Sequence, residues 1–269
     1  MKKLNPLTTQ DLFIKKHREH HRLVTLSRFG IFIVFLVMWE LLAYFRIIDS
    51  FFFSSPSLII KCAYSMLLDL TLFTHIGVTL YETILSFFLV IIIGIVVASL
   101  LWFSKTLSEI IEPTLVILNS LPKSALAPLF IVWLGTGTKT IIIAGISVAI
   151  FGCIISLYSG FLETDKDKLM MIETLGGTRL QAFKKVVLPS SIPVLLSTIK
   201  VNIGLSLVGV IIGEFLAARY GLGYLIIYGS QVFQLDLVIM SIVILCIIAT
   251  ALYKIIQFLE HQYKKRMLN

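Results

Sequence analysis

The chain has 269 residues, of which 58% are hydrophobic and 14% are charged, and it carries a formal net charge of +8 at pH 7. Soluble domains are about 45–50% apolar and about 25% charged, so a water-soluble core of this size could not bury these side chains. The composition therefore indicates an integral membrane protein in contact with lipid. It argues against a nucleic-acid partner, because Lys and Arg collect in the cytoplasmic segments of membrane proteins.

Six apolar runs approach the roughly 20 residues that a helix needs to cross a bilayer. They lie near 28–45, 76–103, 113–134, 139–159, 193–215 and 237–258. The first is short, and the polar segment before it is longer than the n-region of a cleaved signal peptide, so we expect a retained anchor. The third contains Pro122 and Pro128, which predict a broken or kinked span. The chain is predicted to be all-α, with about six transmembrane helices.

Basic residues are distributed unequally between the two sides that six spans define. With the N terminus in the cytoplasm, residues 1–28 carry seven Lys or Arg and residues 160–192 carry five, whereas the whole opposite side carries four. The enrichment of Lys and Arg on the cytoplasmic side predicts that both termini are cytoplasmic. The chain then divides into a basic N-terminal segment, a first span with an external segment, a five-helix core and a cytoplasmic tail, at 1–27, 28–75, 76–260 and 261–269.

The external segment 46–75 contains a second helix signal. Ser55 can cap a helix that has Pro56 at its first position, and a short amphipathic run follows. Two interpretations are open at this point: a helix on the outer membrane surface, or a segment packed against the bundle.

The predicted cytoplasmic loop 160–192 contains an unusual stretch, LGGTRLQAFKKVVLP, at 175–189. Residues 168–183 can be helical, with an apolar stripe interrupted by the glycine pair. The stripe consists of Leu169, Ile172, Leu175, Leu180 and Phe183. Pro189 is predicted to end this helix, and Pro193 to begin the next span. The apolar stripe of a cytoplasmic helix must be buried. It packs either against another protein or against the helix bundle of the same chain or the bilayer surface.

The loop resembles a motif of permease subunits in bacterial binding-protein-dependent ABC importers: E-A-A, three residues, G, nine residues, I-x-L-P. Gly176 occupies the glycine position, Val186 stands at the isoleucine, and Leu188-Pro189 closes the pattern. The opening triplet departs from the motif, because residues 170–172 read Met-Met-Ile without a glutamate. Two further stretches, NSLPKSALAPLFIVWLGTGTKT (119–140) and GEFLAARYGLGYLI (213–226), look like permeases for nitrate, alkanesulfonates and taurine.

The resemblance implies the type I importer permease arrangement, with two copies of the chain forming a pore in the bacterial cell membrane. Each copy would dock its loop on a cytoplasmic ATPase subunit, and an extracytoplasmic binding protein would deliver the solute. The chain itself is expected to bind no cofactor, since ATP and Mg²⁺ belong to the ATPase. The ATPase-coupling residues that the resemblance implies are Met170, Glu173, Leu175, Gly176, Gly177, Arg179, Leu180, Phe183 and Pro189. Leu175, Leu180 and Phe183 are expected to act as apolar knobs and Arg179, Lys184 and Lys185 as basic edges.

Signals for chemistry within the chain are weak. The nearest match to a P-loop is GTGTKT at 135–140, which lacks the glycine before Lys139 and lies on the predicted external side. The histidines, cysteines and acidic residues show no metal-ligand spacing, and the cysteines suggest no disulfide framework. His17, His20 and His21 are expected to be solvated. We therefore expect no enzymatic activity and no metal.

Candidate residues of a translocation pathway come from the apolar spans. They are Pro122, Lys123, Pro128, Gly209, Gly213 and Glu214. Lys123 lies near mid-membrane. It either lines a path for an anion, or it snorkels to the membrane interface or pairs with a helix-end carbonyl. Glu214 is either part of an interfacial salt bridge or a gate contact. The small residues of GVIIG (209–213) serve either bundle packing or contact between subunits.

We predict no role for two other intramembrane acids, Glu40 and Glu82. The permease family that the chain resembles usually has a basic residue where Glu82 stands. The solute is predicted to be small and anionic, similar to a sulfonate, nitrate or taurine. The competing interpretations are an ATP-independent secondary transporter or channel, and a membrane enzyme or scaffold. The first needs inverted repeats or a charged relay and the second a catalytic cluster, and the sequence shows neither pattern.

Overall fold

The computed structural model describes residues 9–267, and all regular structure within this range is helical. Residues 1–8 of the predicted N-terminal segment lie outside the described residues. The helices are α1 (Thr9–Tyr44), α2 (Ser50–Phe53), α3 (Pro56–Leu68), α4 (Thr71–Phe103), α5 (Lys105–Ser120), α6 (Lys123–Leu134), α7 (Thr138–Leu162), α8 (Lys166–Thr174), α9 (Arg179–Ala182), α10 (Leu188–Ser190), α11 (Ile192–Ala217), α12 (Leu222–Gln231) and α13 (Leu235–Met267), with a π-helical turn at Phe183–Val187.

Four of the described helices are long and apolar enough to cross a membrane: α4, α7, α11 and the Leu235–Tyr263 part of α13. The pair α5 and α6 also passes this test together, although its two halves bend by 97° at the break between them, and it brings the total to five. The remaining predicted span, 28–45, which is the first along the chain, forms the end of α1. Its apolar part, Gly30–Tyr44, is shorter than 18 residues, so a straight helix of that length does not reach across a bilayer of about 30 Å.

The predicted break in the third span is found at Pro122. Leu121 is extended (φ −64°, ψ 139°), as expected for a residue that precedes proline, and Pro122 stands immediately before α6. Pro128 lies inside α6 without interrupting it. Of the two prolines, Pro122 therefore produces the bend.

The core of the bundle is formed by α4, α7 and α11, and small residues bring α7 and α11 together. A Cβ atom on Gly209 would lie 2.8 Å from the Cα of Gly145, and one on Gly213 would lie 2.9 Å from the Cα of Ile141. Such distances are far inside van der Waals contact, so the absence of a side chain is what allows this approach. The GVIIG pattern thus serves packing within one chain.

A second apolar cluster joins α3, α12 and α13 around Leu222, Leu225 and Met240. Ser55 caps α3, because its hydroxyl accepts a hydrogen bond from the Leu58 amide at 3.3 Å. Ile59 is buried in this cluster, whereas Ile60 on the other side of α3 is exposed. Of the two interpretations of segment 46–75, the structure shows the helix packed against the bundle.

The two ends of the bundle carry different connections between helices. We call the end with residues 163–191 the loop end, and the end with residues 135–138 and 218–221 the turn end. The helices α4, α7 and α13 run from the turn end to the loop end, and α11 runs back between them.

We expect Gly209→Ala to destabilise the chain, because the new Cβ meets the α7 backbone, which cannot move away as a flexible side chain can. Overpacking of this kind typically costs about 1–3 kcal/mol. Gly204→Ala is the matched control on the same helix, since nothing lies within 4 Å of a Cβ at that position. Thermal unfolding in detergent, followed by tryptophan fluorescence, compares them. Equal unfolding midpoints for the two variants would contradict the packing assignment.

Candidate functional site

A tight turn between α8 and α9 shapes the loop. Gly176 has a φ of +74°, and the amides of Gly176 and Gly177 donate to the carbonyls of Glu173 (2.9 Å) and Ile172 (2.8 Å). This pair of bonds is a Schellman motif, in which a left-handed residue ends the helix and satisfies its last carbonyls. Nothing lies within 4 Å of a Cβ on Gly176, so the glycine is required by the backbone conformation and not by a close neighbour.

The helix that follows begins with a capping box. The Thr178 hydroxyl accepts from the Gln181 amide at 3.3 Å, and the Gln181 side chain accepts from the Thr178 amide at 2.8 Å. The turn is therefore hydrogen-bonded both to the end of α8 and to the start of α9, which makes the connection between the two helices rigid. The T-x-x-Q spacing is readable in the sequence, but the prediction of one helix over 168–183 overlooked it.

Pro189 does not end the loop helix, contrary to the prediction. The backbone passes through the π-helical turn, where the Leu188 amide donates to the carbonyl of Phe183, and continues into α10. A π turn shifts the hydrogen-bond register, so the helix can accommodate a proline that lacks an N–H. The break falls at Ser191, whose hydroxyl donates to the carbonyls of Val187 (2.8 Å) and Gly160 (3.1 Å).

Phe183 faces the core and not a partner, which corrects its predicted role as an exposed knob. It is 6% exposed, and its ring lies 5.1 Å from Trp102, 5.0 Å from Phe103 and 5.5 Å from Phe161, measured between ring centroids. The aromatic side chains at the ends of α4 and α7 remove the Phe183 ring from water, which is more favourable than leaving the ring exposed on a cytoplasmic helix.

Arg179 also turns inward. Its guanidinium donates to the carbonyl of Trp102 at 3.0 Å and lies 5.2 Å from the centroid of the Trp102 ring. The last carbonyls of α4 lack helical partners and carry a partial negative charge. The Arg179 guanidinium supplies both a hydrogen-bond donor and a positive charge at this position. Arg179 and Phe183 together fasten α9 to the end of α4.

Four apolar side chains of the loop are instead exposed, away from the core. We call them the loop surface, and they are Met170 (61% exposed), Met171 (62%), Leu175 (73%) and Leu180 (51%). Among the other predicted coupling residues, Glu173 and Pro189 are exposed, as are Lys184 and Lys185. The predicted stripe thus divides into an inward face and an outward face.

A groove of about 500 Å³ lies between α7 and α11; its lining is mainly apolar but includes four polar side chains, and we call it the polar groove. Its polar lining consists of Ser156, Ser197, Thr198 and Asn202. The last three belong to α11, where Thr198 and Asn202 lie one helical turn apart and the Asn202 side chain donates to the Thr198 carbonyl at 2.8 Å. The prediction overlooked these residues, although polar side chains repeating along one face of an apolar span were a readable signal.

The predicted pathway residues do not line this groove. The Lys123 ammonium donates to the carbonyl of Asn119 at the end of α5, which is the helix-end pairing that one of the two interpretations foresaw. Pro128 is exposed on α6. Gly209 and Gly213 are buried between α7 and α11.

Glu214 organises a buried hydrogen-bond network at the turn end. Its carboxylate accepts from the Thr79 hydroxyl at 2.6 Å and from the Gly223 amide at 2.5 Å. The Thr79 hydroxyl also accepts from the Leu222 amide at 2.8 Å, and the Gly221 amide donates to Nδ1 of His75 at 3.0 Å. These contacts are hydrogen bonds and not the predicted salt bridge, and the gate role stays a prediction. The network, which we call the turn clamp, fixes the backbone between α11 and α12 to α4.

Two acids without a predicted role have defined surroundings. Glu40 accepts a hydrogen bond from the Ser57 amide in the first turn of α3 at 3.0 Å. Glu82 is fully buried in α4, where its carboxyl group lies beside the side chains of Thr138 and Glu214.

The described residues contain no cluster of three or more His, Cys, Asp or Glu side chains that could hold a metal ion. The P-loop-like stretch 135–140 forms the turn before α7, where the Thr140 hydroxyl donates to the Gly135 carbonyl at 2.6 Å.

A family model described as "Binding-protein-dependent transport system inner membrane component" matches residues 90–267, which include the end of α4, the core helices α7 and α11, the loop and α12. The chain belongs to this family. It is therefore a permease subunit of an ABC importer and a multi-pass protein of the bacterial cell membrane, and the family expected from the loop motif is confirmed.

Named relatives agree with this assignment. A probable ABC transporter permease of Haemophilus influenzae is 30% identical over 86% of this chain and 93% of its own length. A putative aliphatic sulfonates transport permease of Bacillus subtilis is 25% identical over 86% and 84%. A formylaminopyrimidine transport permease of Halalkalibacterium halodurans is 28% identical over 72% and 76%. These relatives are transport permeases and not enzymes.

The fold is also that of solved importer permeases. A chain of an inward-facing structure of the MetNI methionine ABC transporter aligns with a TM-score of 0.61 and 20% identity, covering 74% of this chain and 97% of that one. The predicted importer-permease fold is therefore confirmed.

We expect Thr79→Val to weaken the turn clamp, because it removes a hydroxyl that bonds Glu214 and Leu222 at once. Each buried polar group left without a partner costs about 1–3 kcal/mol. Hydrogen exchange of the Leu222 amide and the thermal unfolding midpoint measure the loss. Thr79→Ser is the matched control, since it keeps the hydroxyl. If Val and Ser variants exchanged at the same rate, the clamp would not depend on this hydrogen bond.

Proposed function

We propose that this chain forms part of the translocation pathway of the importer, and that residues 168–189 couple it to a separate ATPase subunit. The observation that carries the proposal is the loop surface: exposed Met170, Met171, Leu175 and Leu180 on a segment fastened to the ends of α4 and α7. Exposed apolar side chains in one cluster are typical of a protein interface. The permease family implies an ATPase as the partner that covers it.

The proposed coupling works through rigidity. The Schellman turn and the capping box hold α8 against α9, and Arg179 and Phe183 hold α9 against the core. A push on the loop surface therefore moves α4 and α7 as rigid bodies. Met170 stands where the family motif has its acidic residue, and Met171 follows it; their flexible thioethers offer an apolar contact in place of a charged one.

The polar groove is the part of the chain that we propose to line the pathway. Hydroxyl and amide groups in an otherwise apolar span are costly in lipid and are expected to face a polar route or a partner. The Asn119 side chain approaches Gly152 of the groove, so the bend at Pro122 lies close to it. We propose that a second copy of the chain closes the groove, that ATP and Mg²⁺ bind to the ATPase, and that an extracytoplasmic binding protein delivers the solute.

The proposed solute is small and polar, with a sulfonate-like anion among the candidates. The names of the relatives support this range and no narrower one, since one refers to aliphatic sulfonates and another to formylaminopyrimidine. Lys123 adds no support for an anion, because its ammonium donates to the Asn119 carbonyl.

Co-purification tests the proposal. The tagged chain is extracted gently from its native membrane, and the recovered proteins are identified with their stoichiometry. We expect a P-loop ATPase in equal amount to the chain, and a cysteine placed at Leu175 should cross-link to it. Recovery of the chain alone, together with ATP-independent solute movement in liposomes, would instead establish a secondary transporter.

We expect Leu175→Ser and Leu180→Ser to reduce recovery of the ATPase, because each removes apolar area from the loop surface without affecting the core. Leu23→Ser is the matched control: Leu23 is similarly exposed (63%) and lies on α1 in the predicted cytoplasmic region. Loss of recovery in the control as well would indicate a general defect in membrane insertion and would contradict a specific loop interface.

Gly176→Val is expected to leave the chain folded while uncoupling ATP hydrolysis from uptake, since valine is strained at a φ of +74° and would distort the turn. Gly176→Asn is the control, because asparagine tolerates the left-handed region. The ratio of ATP hydrolysed to solute taken up is measured for both variants. Normal coupling in the valine variant would show that the turn is not needed for transmission.

A further inference from the structure

A second cavity, of about 580 Å³, lies between α11 and α13, in the part of both helices that is closer to the loop end. It shares no lining residue with the polar groove. In contrast to the lipid-facing surface around it, all but one of its lining side chains are polar or charged. They are Lys200 of α11 and Lys254, Gln257, Phe258, Glu260 and His261 of α13.

An ion pair between the two helices forms one wall of this cavity. The Lys200 ammonium donates to a carboxylate oxygen of Glu260, and the two side chains are only 22% and 11% exposed. Charges taken out of water in this way are stable only when they are paired. The pair joins α11 to α13, and it neutralises the one acidic side chain of the cavity.

Lys254 gives the same cavity a second positive charge. Its side chain is exposed, and none of the ion pairs found among the described residues includes it. Gln257 and His261 follow three and seven residues later, so they lie on the same side of α13 and add N–H donors. A positive charge beside several N–H donors suits a phosphate-type anion.

The cavity lies at the level where α13 leaves the membrane. The apolar run of this helix ends near residue 258, and residues 264–266 read Lys-Lys-Arg. The loop end is the predicted cytoplasmic side, so this level is that of the headgroups of the inner leaflet. Basic pockets between transmembrane helices on that side are typical binding sites for anionic lipid headgroups.

An exposed apolar stripe leads from the bilayer to the cavity. Ile247 and Phe258 are 62% and 61% exposed, and Lys254 lies between them on the same side of α13, because spacings of seven and eleven residues are close to whole helical turns. Acyl chains can lie along this stripe while the headgroup reaches Lys254. A soluble phosphate would make no use of the stripe, so the arrangement favours a lipid.

We propose that this cavity binds the phosphate headgroup of an anionic phospholipid of the inner leaflet, with Lys254, Gln257 and His261 as donors to the phosphate. A zwitterionic phospholipid fits less well, because its ammonium group would meet Lys254 while Glu260 is engaged by Lys200. The bound lipid contacts both walls and therefore stabilises the contact between α11 and α13. Lipid binding here requires no ATPase, binding protein or solute, so its outcome is separate from that of the proposed function.

The first experiment varies the lipid around the unmodified full-length chain. Nanodiscs of phosphatidylcholine receive increasing fractions of phosphatidylglycerol, and the thermal unfolding midpoint and the number of phosphatidylglycerol molecules retained in native mass spectrometry are measured. We expect the midpoint to rise and saturate, with about one retained lipid per chain, because a ligand that binds only the folded state stabilises it.

Two comparisons separate the possible sources of the anion. Phosphatidylethanolamine replaces phosphatidylglycerol in one series, and inorganic phosphate is added to pure phosphatidylcholine nanodiscs in the other. We expect neither to reproduce the saturating rise. An equal rise with inorganic phosphate would identify a soluble anion as the occupant, and an equal rise with phosphatidylethanolamine would show that the lipid charge is not recognised; either result overturns the proposal.

The second experiment assigns the binding to the cavity. Lys254→Gln should raise the phosphatidylglycerol fraction needed for half-saturation about tenfold or more, because it removes a hydrogen bond between charged groups. Gln257→Glu, which places a negative charge beside Lys254, should also weaken binding. Lys166→Gln is the matched control, since Lys166 is equally exposed to solvent at the loop end but lies outside the cavity.

Equal weakening by Lys254→Gln and Lys166→Gln would indicate diffuse attraction of the lipid surface to the basic end of the molecule, and it would contradict a defined site. Lys254 and Gln257 are both exposed, so these substitutions leave the core of the bundle intact. Unfolding midpoints in phosphatidylcholine alone verify this for each variant.

Discussion

The contact between α7 and α11 is the constraint on which the other parts of the molecule depend. Gly145, Gly209 and Gly213 bring the two helices closer than any side chain would allow. Helices in lipid gain little from the hydrophobic effect, so close packing of small residues is what holds them together. The same contact places the polar groove between these helices and brings Glu214, at the end of α11, within hydrogen-bonding distance of Thr79 on α4.

The two ends of the bundle are built differently and serve different ends of the proposed transport cycle. At the loop end, Arg179 and the aromatic side chains around Phe183 join the loop to α4 and α7 and leave an apolar surface outside. At the turn end, the turn clamp joins α4 to the backbone after α11. Both ends are therefore attached to α4, through Arg179 at the loop end and Thr79 at the turn end.

Several features could be predicted from local sequence, and others could not. The bend at Pro122, the cap at Ser55 and the turn at Gly176 follow from the backbone preferences of proline, serine and glycine, and the structure shows all three. The orientation of Phe183 could not be read in the same way. A phenylalanine on an apolar stripe is equally suited to a partner and to its own core, and the rings at the ends of α4 and α7 decide between them.

The membrane class, the helical architecture, the family and the position of the loop motif could be predicted from the amino-acid sequence, because these depend on composition, on the length of apolar runs and on short-range spacing. Tertiary structure alone decided which charges matter. Lys123 meets a carbonyl one helical turn away, Glu214 is satisfied by residues on two other elements, and Glu82 of α4 is buried beside Thr138 and Glu214. The free energy of a charge within the membrane depends on the partners that folding brings to it, and those partners are distant in sequence.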